Sequence, residues 1–400
     1  MTVNSVPLSE VAEINPLHGR GVDPATVVSF LGMADVSEGG STSRGSDRVY
    51  SEVSGGYTPF RNGDVLVAKI TPCFQNGKIA QAELRHELGA GSTEFHVIRP
   101  KSTVDARYLL RFLRQEWIRE EGELRMTGSG GQRRVPEAFL RALSVPLPSL
   151  AEQQRIAAVL DQVDALRTKR RQAITLLDDL AQSAFLDMFG DPMTAGRWGG
   201  GTVADAGVVQ LGRQRAPKYQ TGAHTKPYLR VANVFEDRID FRDVLSMDFD
   251  ESDFRKYALR AGDILLNEGQ STELVGRPAM WRGEYEDYCF QNTLVRFQAR
   301  RDIVLPEYAL ALFLRYFRTG EFAKISSKTS SVAHLGAARF SRMPFPVPPM
   351  DLQERFRELN REVTRQQHSH RSHLAHLDEL FTSLEARSFS GTLWDHAAAA

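Results

Sequence analysis

Hydrogen-bonding side chains cluster in the glycine- and serine-rich turns of this 400-residue sequence. Arginine, lysine, asparagine and glutamine can bond the edges of DNA bases, whereas serine, threonine and backbone amides bind phosphates. Each of these clusters, considered by itself, is more typical of a turn exposed to solvent than of a binding site. The candidate DNA-contacting residues of the first half are Arg44, Lys69, Gln75, Asn76, Lys78, Ser129, Gln132, Arg133 and Arg134. The candidates of the second half are Arg213, Gln214, Arg215, Lys218, Tyr219, Arg230, Asn233, Asn267, Gln270, Ser271, Lys328, Ser330 and His334.

Signatures of catalysis are missing from the sequence. It has no GxxxxGK[ST] phosphate-binding loop, and the run at 128–131 lacks GxGxxG spacing. No Asn-Pro-Pro or Asp-Pro-Pro segment is followed by an aromatic residue, the tetrapeptide of adenine-methylating sites. We therefore expect no catalytic residue in this chain.

One set of residues loosely imitates the carboxylates of a nuclease. Asp263 is followed by Glu268 and Gln270, but the matching segment of the first half has Asp64 and Lys69 without a glutamate. Metal-dependent hydrolysis needs carboxylates that converge on an ion. We therefore interpret this segment as a strand and its turn.

Histidines and cysteines offer no convincing metal site. The histidines that are close together are His368, His370, His373 and His376. Two of them occupy predicted helix-seam positions, where polar residues commonly fix register. Cys73 and Cys289 are far apart and lack metal-binding spacing. We predict no metal site.

The overall charge is neutral, with 50 basic and 50 acidic residues. A protein that grips DNA phosphates unaided is usually basic. Either the chain does not bind nucleic acid, or another subunit supplies most of the phosphate contact. Composition leaves both alternatives open.

The chain contains a repeat with an offset of 200 residues. Pro146, Pro148, Gln153 and Arg155 recur 200 positions later, as do Tyr108, Leu110 and the Leu-Asp-x-Leu segment at 177–180. The Gly-Asp-Val-Leu strand at 63–66 recurs one residue out of step at 262–265. The candidate sets at 69–78 and 129–134 thus correspond to those at 267–271 and 328–334, which favours binding by both sets.

Each repeat ends in a predicted long helix behind a proline-rich entry. The first predicted seam is Ile156, Val159, Val163, Leu166, Arg170, Ala173, Leu177, Leu180 and Ala184. The second is Phe356, Leu359, Val363, Gln366, His370, His373, Leu377, Leu380 and Leu384. This heptad spacing predicts a coiled coil, and two-fold related halves predict antiparallel pairing.

The remaining segments alternate short apolar runs with glycine- and asparagine-rich turns, a pattern typical of mixed α/β domains. We predict an α+β fold in which two tandem α/β domains are separated by two long helices in an antiparallel coiled coil, with the domains at opposite ends. The predicted parts are a domain at 1–145, a helix at 146–190, a linker at 191–201, a domain at 202–345, a helix at 346–393 and a tail at 394–400.

At this point the chain resembles a known family, the specificity subunits of type I restriction–modification systems. The resemblance rests on Leu147–Ile156 (LPSLAEQQRI), on Leu177–Ser183 (LDDLAQS) and on the repeated Gly-Asp-Val/Ile-Leu strand. It extends from about Leu8 to Leu393. The second helix departs from the pattern, because Asp351-Leu352 replaces Ala-Glu and its middle is rich in histidine.

The resemblance implies that each α/β domain is a target recognition domain for half of a split double-stranded DNA sequence. The helices would set the spacer between the halves. Two adenine-N6 methyltransferase subunits would carry S-adenosylmethionine, and restriction subunits would use ATP and Mg²⁺. No cofactor is expected in this chain itself.

Three other interpretations stay open. A specificity chain of a fused, type II-like restriction system would have a similar sequence. A coiled-coil scaffold that binds only protein would show no sequence-selective DNA binding. An independent nuclease or methyltransferase is disfavoured by the missing motifs. The lack of a signal peptide or a long apolar run, together with only two cysteines, predicts a cytoplasmic protein without membrane contact.

Overall fold

The computed structural model describes residues 4–17, 21–129, 131–192, 194, 198–216, 220–329 and 332–393. The chain forms two compact units. Unit 1 comprises Met1–Arg170 with His373–Ala400, and unit 2 comprises Arg171–Ser372. Among the described residues, no helix is both long and apolar enough to cross a membrane.

In unit 1 an α/β domain precedes the first long helix. Its strands are β1 (Ser5–Pro7), β2 (Ala12–Ile14), β3 (Val27–Leu31), β4 (Ser46–Val49), β5 (Thr58–Arg61), β6 (Val65–Ala68), β7 (Ile79–Gln81), β8 (Leu88–Gly91), β9 (Phe95–Pro100) and β10 (Ser144–Pro146). Its helices are α1 (Leu8–Val11), α2 (Tyr50–Val53), α3 (Ala106–Leu113), α4 (Glu116–Leu124) and α5 (Glu137–Ala142). The long helix α6 spans Leu150–Phe189 and so continues into unit 2.

Unit 2 repeats this arrangement. Its strands are β11 (Gly200–Thr202), β12 (Gly207–Leu211), β13 (Thr225–Leu229), β14 (Val234–Phe235), β15 (Arg238–Ile239), β16 (Leu245–Asp248), β17 (Ile264–Asn267), β18 (Gly269–Gln270), β19 (Pro278–Met280), β20 (Cys289–Phe290), β21 (Leu294–Ala299), β22 (Ser327–Thr329), β23 (Val332–His334) and β24 (Pro344–Pro346). Its helices are α7 (Val203–Ala206), α8 (Glu251–Tyr257), α9 (Pro306–Arg318), α10 (Glu321–Ile325) and α11 (Ala337–Ser341). The second long helix, α12 (Met350–Ser390), continues into unit 1.

A central four-stranded sheet organises each domain. Its strand order is β2-β9-β6-β7 in unit 1 and β12-β21-β17-β19 in unit 2. Strand β6 is buried along its whole length because both of its faces are covered. Val65 and Val67 face the helical core, whereas Leu66 faces the core shared with the sheet β4-β3-β8-β5. Strand β17 alternates in the same way, which confirms the duplicated α/β architecture.

The repeated glutamine and tyrosine fasten each long helix to its domain. Gln153 is fully buried; its amide oxygen accepts from the Asp105 backbone N–H (2.8 Å), and its Nε2 donates to the Thr103 and Pro148 carbonyls. Gln353 makes the equivalent bonds to Leu305, Ile303 and Pro348. Tyr108 and Tyr308 donate to the carbonyls of Pro146 and Pro346, each at 2.8 Å.

The two long helices pack against each other in an antiparallel sense. In unit 2, Gln367 Nε2 donates to Asp178 Oδ1 (2.6 Å), and Phe189 packs on Phe356, so later residues of α6 meet earlier residues of α12. In unit 1, Arg167 Nε donates to Asp378 Oδ1 at 2.6 Å. The predicted coiled coil is therefore confirmed.

The predicted seam of α6 is wrong at two positions. Leu166 and Leu180 are 39% and 50% exposed, and the buried or half-buried position in each case is one residue later, at Arg167 and Ala181. The same shift applies to α12, where Leu359 and Gln366 are exposed and Gln367 is buried. The contact face includes the polar residues Arg167 and Gln367, so counting apolar residues did not locate it at these positions.

Candidate nucleic-acid interface

Two isolated β-bridges in unit 1 bring two of the predicted candidate sets together. We define patch 1 as residues 69–71 with 127–129 and 131–134. Arg134 forms bridges with both Ile70 and Thr127, and the Thr71 N–H donates to the Arg133 carbonyl (3.0 Å). The Thr71 hydroxyl donates to the Gly131 carbonyl and accepts from the Arg133 N–H. Residues 131, 133 and 134 are therefore bonded to the segment 69–71, which directly follows strand β6.

The hydrogen-bond donors of patch 1 differ in how far their side chains are exposed and in whether they bind a neighbouring residue. Ser129 and Gln132 are exposed, and Lys69 is half-buried. Arg133 is 43% exposed, and its Nη2 lies 3.5 Å from Glu123 Oε1. By contrast, the Arg134 guanidinium binds both oxygens of Glu94, at 2.9 and 2.8 Å, and this bonding lowers the pKa of Glu94. Gln132 and Arg133 can thus reach a ligand, whereas Arg134 is occupied.

The other first-half candidates mainly stabilise the turn before strand β7. The Gln75 amide donates to Glu123 Oε1 (2.9 Å), and the Asn76 amide donates to Glu38 Oε1 (2.9 Å). The Lys78 ammonium donates to the Met33 carbonyl at 3.0 Å. Arg44 lies exposed in the loop before strand β4.

At the equivalent place unit 2 has a three-stranded sheet, with strand order β18-β23-β22. We define patch 2 as residues 268–271 with 327–328 and 332–334. Gly269 pairs with His334, and Gln270 and Lys328 both pair with Ala333. The sheet therefore joins the candidate sets at 267–271 and 328–334, as their counterparts are joined in unit 1.

Patch 2 presents a different group of side chains. Lys328 is exposed, and Gln270 and Ser271 are half-exposed beside it, with the Ser271 N–H donating to Gln270 Oε1. His334 is 40% exposed, and its Nδ1 lies 3.0 Å from Glu268 Oε2. A base or a phosphate that approaches this surface meets an ammonium, an amide and an imidazole.

Four second-half candidates serve the fold in this structure. Asn233 and Asn267 are buried, and their amides donate to backbone carbonyls. Arg213 pairs with Asp253 (2.6 Å), and Arg230 pairs with Asp243. This burial and pairing argue against direct base contact, so we leave these four out of the proposed reading set.

The remaining second-half candidates fall into two groups. Gln214 and Arg215 are exposed in the loop after strand β12. Lys218, Tyr219 and Ser330 lie outside the described residues.

The nuclease-like carboxylates are structural. Asp64 binds Arg99 through two hydrogen bonds (2.9 and 2.7 Å), and Asp263 lies 3.4 Å from Arg296 while accepting from Gln298. Burial raises the pKa of Asp263. Within the part of the chain that the structure describes, no group of three or more His, Cys, Asp or Glu residues could hold a metal ion.

Two residues that support the patches were not singled out from the sequence. Glu94 is the partner of Arg134, and Arg339 donates to both the Ser327 hydroxyl and the His334 carbonyl. Glu94 lies 40 residues from its partner, and no sequence pattern links the two. Arg339 follows patch 2 by five residues, and its local position is the signal that could have identified it.

Comparison with known proteins places this geometry in context. Residues 2–176 match the family model described as the type I restriction modification DNA specificity domain. The type I restriction enzyme EcoAI specificity subunit of Escherichia coli is 39% identical over 175 residues, which cover 43% of this chain and only 30% of that relative. The EcoKI specificity subunit of E. coli K12 is 22% identical over 336 residues, covering 79% of this chain and 72% of that relative.

The fold extends over nearly the whole chain. A crystal structure of a type I restriction–modification S subunit from M. genitalium superposes with a TM-score of 0.57 at 12% identity, covering 97% of this chain and 96% of that chain. At this identity the likeness shows the fold alone. The comparisons show that residues 2–176 are similar to the DNA specificity domain of type I restriction–modification systems, and the chain spans less than a third of the EcoAI specificity subunit that it matches.

Proposed function

We propose that this chain reads the DNA sequence for a type I restriction–modification complex in the cytoplasm. Each α/β domain binds one half of a split, asymmetric double-stranded target through its patch, and the paired helices set the distance between the halves. The two domains are expected at opposite ends of the helix pair. The domain at 1–145 reads one half-site, and the domain at 202–345 reads the other.

One observation carries this proposal. The two patches join equivalent segments of the two halves, but they differ in their exposed side chains. Patch 1 displays Gln132 and Arg133, whereas patch 2 displays Gln270, Lys328 and His334. A shared scaffold with different donors and acceptors is expected of two domains that read different bases. A protein-only scaffold gives no reason for this divergence.

Two DNA-binding domains on one chain together bind DNA with a higher affinity than either domain would have alone. Each good bidentate base contact discriminates by about 1–3 kcal/mol, so a few contacts per domain suffice for a half-site. The second domain then binds at a high effective concentration if the helices hold the correct spacing. Recognition thus depends on both patches together.

Specificity subunits are the non-catalytic members of their systems and act with DNA and other subunits. We propose that two adenine-N6 methyltransferase subunits bind around the helices and carry S-adenosylmethionine, and that two restriction subunits use ATP and Mg²⁺. This assignment explains the neutral charge of the chain, because the partners would contribute much of the phosphate contact.

The test is DNA binding by the chain in complex with its methyltransferase partner, on a duplex that contains the target found by methylome sequencing. Arg133→Ala should weaken binding roughly 5- to 100-fold, the equivalent of one or two base or phosphate contacts. Arg85→Ala is the matched control, because Arg85 is 55% exposed in an ion pair with Asp47 away from the patch. It should change binding less than twofold.

Three outcomes would contradict the proposal. Unchanged affinity after both Arg133→Ala and Gln132→Ala would remove patch 1 from the interface. Equal binding of target and scrambled duplexes would favour the protein-only scaffold. Methyl transfer by the isolated chain would show that it is an enzyme.

A further inference from the structure

Unit 2 contains a cavity of about 260 Å³ between its helices and the β14–β15 turn, and larger side chains stand at three of the equivalent positions in unit 1. Three side chains that line the cavity are smaller than their counterparts 200 positions away. Ala181 stands where unit 1 has Phe381, and Ala311 and Gln367 stand where unit 1 has Arg111 and Arg167. The cavity is thus lined by small side chains where unit 1 has one aromatic ring and two guanidinium groups.

Unit 1 shows what kind of group this place accommodates. The Phe381 ring packs on the core, with the Arg167 guanidinium 4.4 Å and the Arg111 guanidinium 5.8 Å from its centroid. These distances are typical of cation–π contacts. In that half the site holds one six-membered aromatic ring beside positive charge.

The lining of the unit 2 cavity can replace these contacts for a bound ring. Phe185, Phe356 and Leu310 provide apolar surface, and Arg315 and Arg318 provide guanidinium groups. A cavity of roughly 150 Å³ lined by apolar residues is already able to bind benzene, so 260 Å³ leaves room for a substituted ring.

Polar features of the lining restrict the ligand further. The Arg315 side chain is 26% exposed, and its Nη2 donates to Asp191 at 2.9 Å. An oxygen on the ligand could accept from an N–H that the exposed part of this guanidinium presents. Acidic side chains balance the arginines, because Arg318 pairs with Glu236 and Asp237 also lines the cavity, so a neutral ligand is favoured.

We propose that this cavity is a binding site for a neutral, single-ring aromatic molecule that carries an oxygen acceptor. The site lies in the helical part of unit 2 and does not involve patch 2. It is therefore independent of the proposed DNA reading.

The test uses the full chain and 4-fluorophenol, observed by ¹⁹F NMR. Saturable binding is expected, with displacement by phenol and at least tenfold weaker displacement by cyclohexanol, which has a ring and a hydroxyl but no aromatic face. Ala181→Phe places a ring where unit 1 has Phe381, and it should weaken binding at least tenfold. Ala311→Leu fills the cavity from another position and should have the same effect, which keeps the test informative if the first variant does not fold.

Three results would overturn the proposal. One is the lack of saturable 4-fluorophenol binding to the wild-type chain. Another is unchanged binding by a folded Ala181→Phe or Ala311→Leu variant. The third is equal displacement by cyclohexanol and phenol, which would show that aromatic character plays no part.

Discussion

At the scale of single residues, Arg133 and Arg134 illustrate what a sequence leaves undetermined. Both are arginines in the same glycine-rich turn, and both were predicted to contact DNA. Arg134 donates to Glu94 at 2.8 Å, whereas the Arg133 guanidinium lies 3.5 Å from Glu123. The sequence identified the two turns that form each patch, but it could not separate ligand-facing residues from structural ones, because the deciding partners are distant in sequence.

The asparagines Asn233 and Asn267 are a second example of candidate DNA contacts that the structure shows to be buried. Asn267 was predicted to contact DNA because of its residue type and its position in a glycine-containing turn. In the structure it is the last residue of the buried strand β17, and Asn233 is buried in a turn in which it accepts from the Arg230 N–H. Asn233 bonds with both its amide oxygen and its amide nitrogen, whereas Asn267 bonds to the described residues only through Nδ2. Residue type alone therefore does not separate a base contact from a buried position.

His96 should make the stability of unit 1 depend on pH. It is buried, with Nε2 2.9 Å from the Val135 carbonyl and Nδ1 3.2 Å from the Asn15 amide nitrogen, an arrangement that fits the neutral ring. Burial lowers its pKa. Because the folded pKa lies below the unfolded value of about 6.5, the folded state binds fewer protons, and this stability is present above pH 6.5 and declines as pH falls.

The measurement is urea denaturation at several values between pH 7.5 and 5.5. The free energy of unfolding of the wild-type chain should decrease below about pH 6.5, by at most about 1.4 kcal/mol per pH unit from this one proton. His96→Gln keeps a donor for the Val135 carbonyl and removes the titrating group, so it should flatten this decrease. Identical pH dependence in the two proteins would show that His96 does not carry the effect.

At the scale of elements, the two long helices were predicted more reliably than their contact faces. Proline-rich entries and heptad spacing indicated both helices, and the structure contains them at Leu150–Phe189 and Met350–Ser390. The contact face was displaced because Arg167 and Gln367 occupy it, whereas the exposed neighbours Leu166 and Leu359 are apolar. Apolar periodicity locates a seam only when the seam itself is apolar.

The buried glutamines should be essential to the attachment of helix to domain. In Gln153→Leu the Asp105 N–H and the Thr103 and Pro148 carbonyls lose their partner, and unsatisfied buried groups are costly. We expect the free energy of unfolding, measured by urea denaturation, to fall by about 2–4 kcal/mol. Gln154→Leu is the matched control, because Gln154 is the exposed neighbour on the same helix turn. It should change stability by less than about 0.5 kcal/mol, and equal effects of the two substitutions would contradict the role of Gln153.

At the scale of the whole molecule, the duplication was evident from the sequence because structural residues are the ones that repeat. Gln153 and Tyr108 recur because each domain needs the same attachment to its helix. Other contacts recur with the charges exchanged: Arg107 pairs with Asp161 at 3.5 Å in unit 1, whereas Glu307 pairs with Arg361 at 3.0 Å in unit 2. The patches diverge most in their exposed side chains, so the repeat predicted their location but not the bases they read.

The structure also indicates where one domain can be exchanged. Strand β11 pairs with strand β24, with Gly201 opposite Phe345 and Thr202 opposite Pro344. A block at 202–345 therefore begins and ends on neighbouring positions of one two-stranded sheet, and both helices stay intact. The proposed readers of patch 2 lie inside this block, and those of patch 1 lie outside it.

The most direct test of the central claim is methylome sequencing of cells that carry a hybrid chain and its methyltransferase partner, with 202–345 exchanged for the second domain of another specificity subunit. If each domain reads its own half-site, one half of the methylated sequence should change, while the other half and the spacer length stay as in the wild-type chain. A change in both halves, or a change in spacer length from this exchange alone, would contradict the account, because recognition would then be shared between the domains.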